Sequence, residues 1–255
     1  METGRGTDSP LRPTVYVTDH VHSRIVGKAF ADGCRGTIAP ARQLLAGPAV
    51  VYGILRGCGA IIHQAQWVGR TFYHIDHGYF GRGHYEGYYR ISADGLQCRI
   101  SDLSDFGSIR FERLEIRPRP WARSGRKILV APISQAVGEF LGINNHQWLE
   151  TVIREIKSYT DRPIEIKQKH EGDIRAVLED TWCLVTHASN AAIDALVAGI
   201  PVIALGHSAV AHISWTWENI EKPIWYDREP LFWALAHNQW TIAEMQSGEA
   251  WATLT

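Results

Sequence analysis

WCLVTHASNAAIDALVAGIPVIALG, residues 182–206, is the stretch that decides the fold of this chain. It begins with an apolar run, passes through a small polar turn and continues as an apolar helical pattern that stops at Gly199. A second apolar run, residues 201–205, follows almost at once. Short apolar runs bounded by turn residues are typical of strands that are buried on both faces. The stretch therefore predicts a strand, a tight turn, a helix and a second, parallel strand.

The turn in this stretch predicts an anion site. Ser189 or Asn190 is suited to cap the helix, and several alanines keep the helix surface small enough to lie close to a sheet. A strand-to-helix turn at the carboxyl end of a parallel sheet points backbone N–H groups and a positive helix end at a phosphate or carboxylate. The structural alternative is an ordinary turn, because an α/β protein contains several and few of them bind a ligand.

Residues 186–190 and 192–206, THASN and AIDALVAGIPVIALG, resemble the donor-site segment of GT-B glycosyltransferases, especially those of the capsular-polysaccharide type. In that family the turn and the helix end hold the phosphates of a nucleotide sugar. The resemblance implies donor-binding roles for His187, Ser189, Asn190 and Gly206. It also implies an α/β fold with two Rossmann-like halves facing each other across a cleft, a nucleotide sugar such as a UDP-sugar as co-substrate, and no bound cofactor.

Composition predicts a soluble globular chain. Its 255 residues are 45% hydrophobic, enough for one large domain or two small ones. No run approaches the roughly 18 apolar residues of a membrane span, and the first residues lack the apolar core of a signal peptide. The four cysteines are far apart and suggest neither a disulfide framework nor a zinc knuckle. A cytoplasmic location and no membrane partner are expected.

Charge differs between the two halves of the chain. Residues 1–125 contain 16 Lys+Arg and 11 Asp+Glu, whereas residues 126–255 contain 10 and 16. Among the basic residues of the first half only Lys28 is a lysine. Arginine makes forked contacts with phosphate and stacks on flat rings, so the first half is suited to a polyanion. An ordinary charged surface is the alternative.

The first half also has an α/β pattern. Apolar runs at residues 14–18, 49–55 and 71–75, separated by helical segments, predict parallel strands with right-handed crossovers. The last run is followed by DHGYFGRGHYEGYYR, residues 76–90, which is rich in glycine, aromatic residues and charge. Loops at the carboxyl ends of strands are where α/β proteins place binding and catalysis. A loop packed by its own tyrosines is the alternative.

The DHGYFGR segment is similar to the acid-glycine-aromatic segment that capsular glycosyltransferases carry in their acceptor domain, where the family commonly has glutamate. The similarity implies that the first half binds the acceptor and supplies the catalytic base. Asp76 is the first candidate for the base, followed by His77, Asp19 and Glu86. The expected acceptor contacts are Arg56, Arg70, Arg82, Arg90, Tyr79, Phe80, Tyr85 and Tyr88.

The second half restarts the α/β pattern at residues 127–131, after the linker RPRPWARSGR. Residues 163–166 predict the next strand, and Lys167, Gln168, Lys169 and His170 follow it. This segment resembles the K-P-[HR] segment of GT-B enzymes, which implies that Lys169 and His170 contact the donor pyrophosphate. The domain prediction is a disordered leader at 1–12, an acceptor-side domain at 13–122 and a nucleotide-sugar domain with C-terminal helices at 126–255.

Three further elements are predicted from residue patterns alone. Alternating apolar residues at 109–116 suggest an edge strand, residues 140–159 have the pattern of one long amphipathic helix, and residues 41–45 suggest a short helical piece.

Three functional classes compete. The first is a metal-independent glycosyltransferase, because the sequence has no D-x-D and no His/Cys cluster at ligand spacing. The closest approach to a metal pair is His20 and His22. The second class is a non-enzymatic nucleotide- or anion-binding module. The third is a sugar-nucleotide epimerase or NAD-dependent oxidoreductase, which is weakened because no G-x-G-x-x-G follows the first strand.

The acceptor is predicted from a second resemblance. H-G-Y-F-G and Y-Y-R in the first half, with the tail Q-W-T-x-x-E-M-x-x-G-x-A-W at residues 239–251, resemble compact phage-encoded glycosyltransferases. Several of those act on hydroxymethylated pyrimidines, so the preferred partner is double-stranded phage DNA carrying 5-hydroxymethylpyrimidine such as hydroxymethylcytosine. Its target base would have to leave the stack to be reached. A capsular or surface polysaccharide is the alternative acceptor.

Overall fold

The computed structural model describes residues 12–100, 103 and 106–255, apart from the side chain of His170. The predicted leader at residues 1–12 lies outside the described residues except for Arg12. The chain divides into two compact units. Unit 1 comprises Met1–Gly78, Arg82–Leu96 and Trp240–Thr255, and unit 2 comprises Tyr79–Gly81 and Gln97–Gln239. Each unit is built on its own α/β sheet, which confirms the predicted fold class of two Rossmann-like halves.

Unit 1 has a mostly parallel sheet. Its strands are β1 (Thr14–Val17), β2 (Thr37–Pro40), β3 (Ala49–Tyr52), β4 (Phe72–His77), β5 (Tyr89–Ala93) and the two-residue β10 (Gln239–Trp240), at which the chain passes from unit 2 to unit 1. The strand order is β10-β5-β4-β3-β1-β2, with β5 antiparallel to β4 and the pairs β2-β1, β1-β3 and β3-β4 parallel. Strands β1, β3 and β4 lie where the apolar runs predicted them, whereas β2 was not predicted.

The helices of unit 1 are α1 (Val21–Cys34), α2 (Cys58–Trp67), α8 (Ile242–Ser247) and α9 (Glu249–Leu254). The predicted helical piece at 41–45 is wrong, because these residues form turns and irregular chain. Helix α8 lies against α1 so closely that a Cβ on Gly33 would be 2.0 Å from the carbonyl oxygen of Met245. The ring of Trp251 packs edge-on against Phe30 and Tyr73. The C-terminal helices therefore belong to unit 1 and not with residues 126–239.

Unit 2 has a parallel sheet in the order β7-β6-β8-β9. Its strands are β6 (Lys127–Ala131), β7 (Ile164–Ile166), β8 (Thr181–Thr186) and β9 (Val202–Ala204), and its helices are α3 (Ile109–Glu112), α4 (Gln135–Leu141), α5 (Asn145–Tyr159), α6 (Ala191–Val197) and α7 (Glu229–His237). The quoted stretch 182–206 forms β8, α6 and β9, as predicted. Gly199 follows α6 at φ +82°, and a Cβ there would lie 2.1 Å from the carbonyl oxygen of Pro120, so glycine is required.

Two predicted elements of unit 2 are corrected. The edge strand at 109–116 is wrong, because Phe111 lies on helix α3 and stacks on Phe232 at 5.4 Å between ring centroids. The long helix at 140–159 is two helices, since Gly142 ends α4 at φ 67° and the side chain of Asn144 caps α5 by accepting the N–H of Gln147. Residues 97–122, predicted to be part of the first domain, cluster with unit 2. Among the described residues, no helix combines the length and apolarity that crossing a membrane requires.

Candidate functional site

The carboxyl edge of the unit 1 sheet collects aromatic and imidazole rings. The strand order reverses between β1 and β3, and open α/β sheets bind ligands outside the carboxyl ends of the strands at such a switch point. Helix α1, which follows β1, carries His22 in its first turn, while β3 ends at Tyr52 and β4 at His77. We define the histidine cluster as His22, His77 and His84 with Tyr52, Tyr85 and Tyr89.

The rings of the histidine cluster lie within contact of one another. The centroid of His22 is 5.3 Å from those of Tyr52 and His84 and 5.2 Å from that of Tyr85. His77 stacks on Tyr89 at 6.1 Å and 23°. Tyr85 and His84 are exposed, whereas His22 and Tyr89 are buried, so the cluster leads from solvent to the end of the sheet.

A hydrogen-bond chain orders the buried part of the cluster. The hydroxyl of Tyr89 donates to the carbonyl oxygen of His84 and lies 2.7 Å from Nε2 of His22. Because that hydroxyl has a single hydrogen, Nε2 of His22 must carry the proton of the second bond. Burial, followed by the neighbouring His77, His84 and His20, lowers the pKa of His22. The neutral Nε2–H tautomer of His22 is therefore the form that fits this arrangement at neutral pH.

Asp76 lies beside the histidine cluster and forms an ion pair with Arg90. The two residues are directly opposite on β4 and β5, and Nη2 of Arg90 is 2.7 Å from Oδ2 of Asp76. Nη1 of Arg90 donates to the carbonyl oxygen of His77, and the N–H of His77 donates to Oδ1 of Asp76 at 2.8 Å. Each carboxylate oxygen can accept more than one hydrogen bond, so Asp76 keeps capacity for a further donor.

The pKa of Asp76 is set by two opposed effects. Burial raises it, but the charge of Arg90, with His74 and the N–H of His77, outweighs burial and the pKa is lowered from its usual value. Asp76 is therefore ionised at neutral pH. The nearby tyrosines stay protonated, because burial raises the pKa of Tyr52 well above its usual value and, with the nearby Tyr85, raises that of Tyr89 to about 12.

The other predicted site residues of the first half do not all join Asp76 and His77. Asp19 is exposed, and its carboxylate lies 3.9 Å from Arg56, a predicted acceptor contact. Arg82 and Tyr85 are exposed, as acceptor contacts require.

Three predicted acceptor contacts, Arg90, Tyr79 and Phe80, are buried instead. Arg90 is 5% exposed and is held by Asp76, so its charge neutralises a carboxylate and is not offered to a phosphate. Tyr79 is 1% exposed and belongs to unit 2, where its hydroxyl donates to Oε1 of Gln97, so it offers no flat face to a base. The carboxylate opposite Arg90 and the core positions of Tyr79 and Phe80 explain these differences.

The carboxyl edge of the unit 2 sheet has its own switch point, between β6 and β8. Oγ1 of Thr186 at the end of β8 donates to the carbonyl oxygen of Ala131 at the end of β6. Two predicted donor residues meet here, since the N–H of Gly206 donates to the carbonyl oxygen of His187 at 2.8 Å. A Cβ on Gly206 would lie 2.1 Å from Cε1 of His187, so the imidazole covers this glycine.

His187 is half-buried, and burial lowers its pKa. Its Nδ1 is inaccessible and has no hydrogen-bond partner among the described residues. The neutral imidazole is therefore expected at this edge.

The remaining predicted donor residues lie on neighbouring turns of unit 2. Lys169 is exposed, in a helical turn after β7, whereas Lys167 is buried and donates to the carbonyl oxygens of Gln168 and Gly172, which shapes that turn. Ser189 is exposed, and its Oγ accepts the N–H of Ala191 at the start of α6. Asn190 immediately precedes that seven-residue helix. The side chain of His170 lies outside the described part of the structure.

Residues 97–99 contribute two polar side chains to this edge that the sequence did not predict. Nε2 of Gln97 donates to the carbonyl oxygen of Ala188 at 3.0 Å, in the turn after β8. Nε of Arg99 donates to Nε2 of His207, after β9, at 3.2 Å. The pKa of His207 is lowered by burial and then by Arg99, so the imidazole is the neutral acceptor. No local pattern in the sequence indicates which part of the chain this segment packs against.

No group of three or more His, Cys, Asp and Glu side chains within the described ranges is arranged to hold a metal ion. This includes the region of His20 and His22.

Comparison with known proteins identifies a shared fold. No protein-family model and no curated protein matches the chain. A solved structure described as "Thermosulfurimonas dismutans KpsC, beta Kdo 2,4 transferase" matches with 11% identity and a TM-score of 0.50, covering 88% of this chain and 90% of that chain. Another, described as the KpsC beta Kdo 2,7 transferase of the same organism, matches with 13% identity and a TM-score of 0.51, covering 93% and 99%. This chain thus has a fold similar to that of KpsC transferase structures along most of its length.

Proposed function

We propose that this chain is a glycosyltransferase that moves a sugar from a nucleotide sugar to a hydroxyl group of a capsular or surface glycan. The observation that carries the proposal is the ionised carboxylate of Asp76, fixed by Arg90 and the N–H of His77 at the carboxyl edge of unit 1. The fold similarity to two proteins described as Kdo transferases supports the same reaction class.

Asp76 is the proposed general base. A hydroxyl that attacks a sugar carbon must lose its proton, and a positioned carboxylate accelerates such a step by about 10²- to 10⁴-fold. Arg90 keeps the carboxylate charged and fixes its orientation, so Asp76 can accept the proton without first losing one itself. His77 is the second candidate, since its imidazole lies at the same strand end with Nε2 3.5 Å from the hydroxyl of Tyr52.

Unit 2 is the proposed donor side. When the glycosidic bond to the nucleotide breaks, negative charge develops on the leaving phosphate, and fixed cations and N–H groups stabilise it. Lys169 supplies an exposed ammonium group after β7, and Arg99 supplies a guanidinium oriented by His207 after β9. Lys169 lies on the turn that follows β7, and Arg99 is bonded to His207 after β9, so both cations lie at the carboxyl edge of one parallel sheet, where ligands of such sheets bind.

Kdo is the first donor sugar to test, because both similar structures are described as beta Kdo transferases. Kdo carries a carboxylate in addition to the phosphate of its nucleotide. A donor of this kind needs two cationic contacts, and Lys169 with Arg99 would provide them.

The predicted DNA acceptor is not the acceptor proposed here. Arg90 is engaged by a carboxylate, so its guanidinium is not an open phosphate contact. The two similar structures are described as Kdo transferases, which supports a glycan acceptor instead. DNA that contains hydroxymethylcytosine is therefore included in the test as the alternative acceptor.

The test incubates the purified chain with CMP-Kdo, UDP-glucose or GDP-mannose and with one of two acceptors, a Kdo-terminated oligosaccharide or duplex DNA containing hydroxymethylcytosine. Mass spectrometry should show the oligosaccharide gaining the mass of one sugar residue. Sugar gain on the DNA alone would overturn the proposed acceptor. Nucleotide-sugar binding with no transfer to either acceptor, using chain whose fold is verified, would favour the non-enzymatic binding module.

A further inference from the structure

A groove of about 550 Å³ lies in unit 1 between the end of α2 and the chain that connects β2 to β3. We define the Trp67 groove by the residues that matter to its chemistry: Gln43, Leu44, His63, Gln64, Trp67 and Arg70. Its volume is in the range that binds small organic ligands, about 300 to 1,000 Å³. No carboxylate lines it among the described residues.

Trp67 is the main feature of the groove. It is 90% exposed, although tryptophan usually buries most of its surface. Helix α2 packs on the sheet through Cys58, Ile61, Ile62 and Ala65, so its core face is complete without Trp67. The indole therefore contributes little to the fold and presents its flat faces to solvent.

The wall opposite α2 is held in place by hydrogen bonds. The N–H of Leu44 donates to Oε1 of Gln64 at 3.0 Å, and the N–H of Leu45 donates to the hydroxyl of Tyr16 at 2.6 Å. Nη1 of Arg70 donates to the carbonyl oxygen of Leu45. These bonds tie the connection to α2 and to β1, so the groove exists before any ligand binds.

We infer that the Trp67 groove is a second carbohydrate-binding site. It binds an acidic polysaccharide chain at a part of the polymer that is distant from the reacting hydroxyl. The C–H groups on one face of a sugar ring are slightly positive and pack on the negative face of an indole. Amide groups such as those of Gln43 and Gln64 pair with sugar hydroxyls, and Arg70 supplies positive charge for a sugar carboxylate. The inference rests on the proposed function for its polymer, which is the acceptor glycan.

The position of the groove fits a holding role. Helix α2 runs from the carboxyl end of β3 back toward the amino end of β4, and Gly69 and Arg70 lead directly into β4. The groove therefore lies at the end of the sheet opposite the histidine cluster and Asp76. A polymer bound here touches none of the residues proposed to perform the reaction.

Two other occupants fit less well. Binding to an anionic membrane typically uses clusters of about 4 to 8 basic residues, and Arg70 is the one Lys or Arg lining the groove among the described residues. A stable interface with a second copy buries about 1,200 Å² or more. The exposed apolar surface here is limited to Trp67, Val68 and Leu45, with amide groups between.

The test measures dissociation constants of the full chain for hexasaccharides of α2,8-linked sialic acid, of hyaluronan and of maltose. The acidic hexasaccharides should bind and maltohexaose should bind more weakly. Trp67→Ala should weaken acidic binding at least about tenfold, which corresponds to roughly 1.4 kcal/mol. Trp67→Phe, which keeps a flat ring, should stay within about threefold of the unmodified chain. Tyr159→Ala, which removes an exposed aromatic ring from unit 2, should leave binding unchanged.

The inference is overturned if neither acidic hexasaccharide binds, or if Trp67→Ala binds them as tightly as the unmodified chain. It is also overturned if the main effect of Trp67→Ala is the loss of a dimer, or the loss of binding to anionic lipid vesicles. A transfer assay with a monosaccharide acceptor distinguishes this site from the proposed function. The rate of sugar transfer by Trp67→Ala in that assay should equal the rate of the unmodified chain. A chain that binds hexasaccharide through Trp67 but transfers no sugar would keep the Trp67 site and contradict the glycosyltransferase proposal.

Discussion

The carboxyl edges of the two sheets are built in opposite ways. In unit 1 the polar groups bind each other: the Asp76 carboxylate is paired with the buried Arg90, and the neutral His22 is hydrogen-bonded to Tyr89. In unit 2 two cationic groups are exposed: Lys169 lies on the turn after β7, and Arg99 is oriented by His207 after β9. A group that must keep one protonation state benefits from fixed partners. A group that must bind and release an anion needs N–H groups that remain accessible to that anion. The difference is consistent with the base proposed for unit 1 and the phosphate contact proposed for unit 2.

The largest expected effect tests the function of Asp76. Asp76→Asn should lower the transfer rate by about 10²- to 10⁴-fold, because the amide cannot accept the proton while its oxygen can still accept from Arg90. Asp94→Asn is the matched control, since Asp94 caps the other end of β4 by accepting the N–H of Phe72. Rates should be measured on enzyme with verified secondary structure. If the transfer rate of Asp76→Asn fell by no more than about threefold, a loss far smaller than 10²-fold, the base would be another residue.

The next effect compares a buried ion pair with an exposed one. Arg90→Met leaves the Asp76 carboxylate without its partner and should cost about 2 to 4 kcal/mol of unfolding free energy, less than for a fully buried pair because Asp76 keeps some contact with water. Arg126→Met removes the exposed partner of Asp180 in unit 2 and should leave the unfolding midpoint nearly unchanged. Denaturant unfolding of both variants checks this. Equal losses would mean that the unit 1 pair is no more structural than a surface pair.

A smaller effect concerns pH and the buried His74 of unit 1. Burial lowers the pKa of His74 to about 4, so between pH 6.5 and 4 the unfolded chain binds the proton more readily than the folded chain. The stability associated with neutral His74 is full above pH 6.5 and is lost as the pH falls to about 4. The loss is at most on the order of 3 kcal/mol. His74→Leu should make the unfolding free energy less dependent on pH between 6.5 and 4. An unchanged pH dependence would contradict the lowered pKa of His74.

The smallest effect tests the open edge of unit 2. Lys169→Ala should weaken binding of a nucleoside diphosphate about tenfold, because one charge-assisted contact of roughly 1.5 kcal/mol is lost at an exposed position. Lys157→Ala, which removes an exposed ammonium from α5, is the control. Calorimetry that gives the same affinity for both variants would remove Lys169 from the donor site.

Sequence patterns predict the parts of this fold that are buried on both faces. Strands β1, β3, β4, β6 and β8 are largely apolar along their length. This pattern is expected for strands whose sheet is covered on both faces. His187 and Gly206, which the resemblance placed together in a donor segment, follow adjacent parallel strands, and the N–H of Gly206 donates to the carbonyl oxygen of His187. Phe111 shows the limit of the method. Its alternating neighbours suggest a strand, but stacking on Phe232 in unit 2 favours a short helix.

The role of Arg90 and the participation of Arg99 both depend on tertiary contacts. Arg90 faces Asp76 only because the hairpin between β4 and β5 sets that register through a glycine-rich loop of no standard length. Arg99 reaches His207 across more than 100 residues of sequence. Neither contact leaves a local pattern, so residue type alone placed Arg90 among the surface arginines.

The return of residues 240–255 to unit 1 has a consequence for how the protein is made. Trp240 is buried beside β5, and Met245 lies against Gly33 of α1, so unit 1 lacks part of its core until these residues are present. Unit 2 lies wholly before them in the sequence. Chains emerge from the ribosome from the amino end, and domains fold as units when their residues are available. Unit 1 therefore contains strands synthesised early, yet unit 2 is the first that a growing chain can complete.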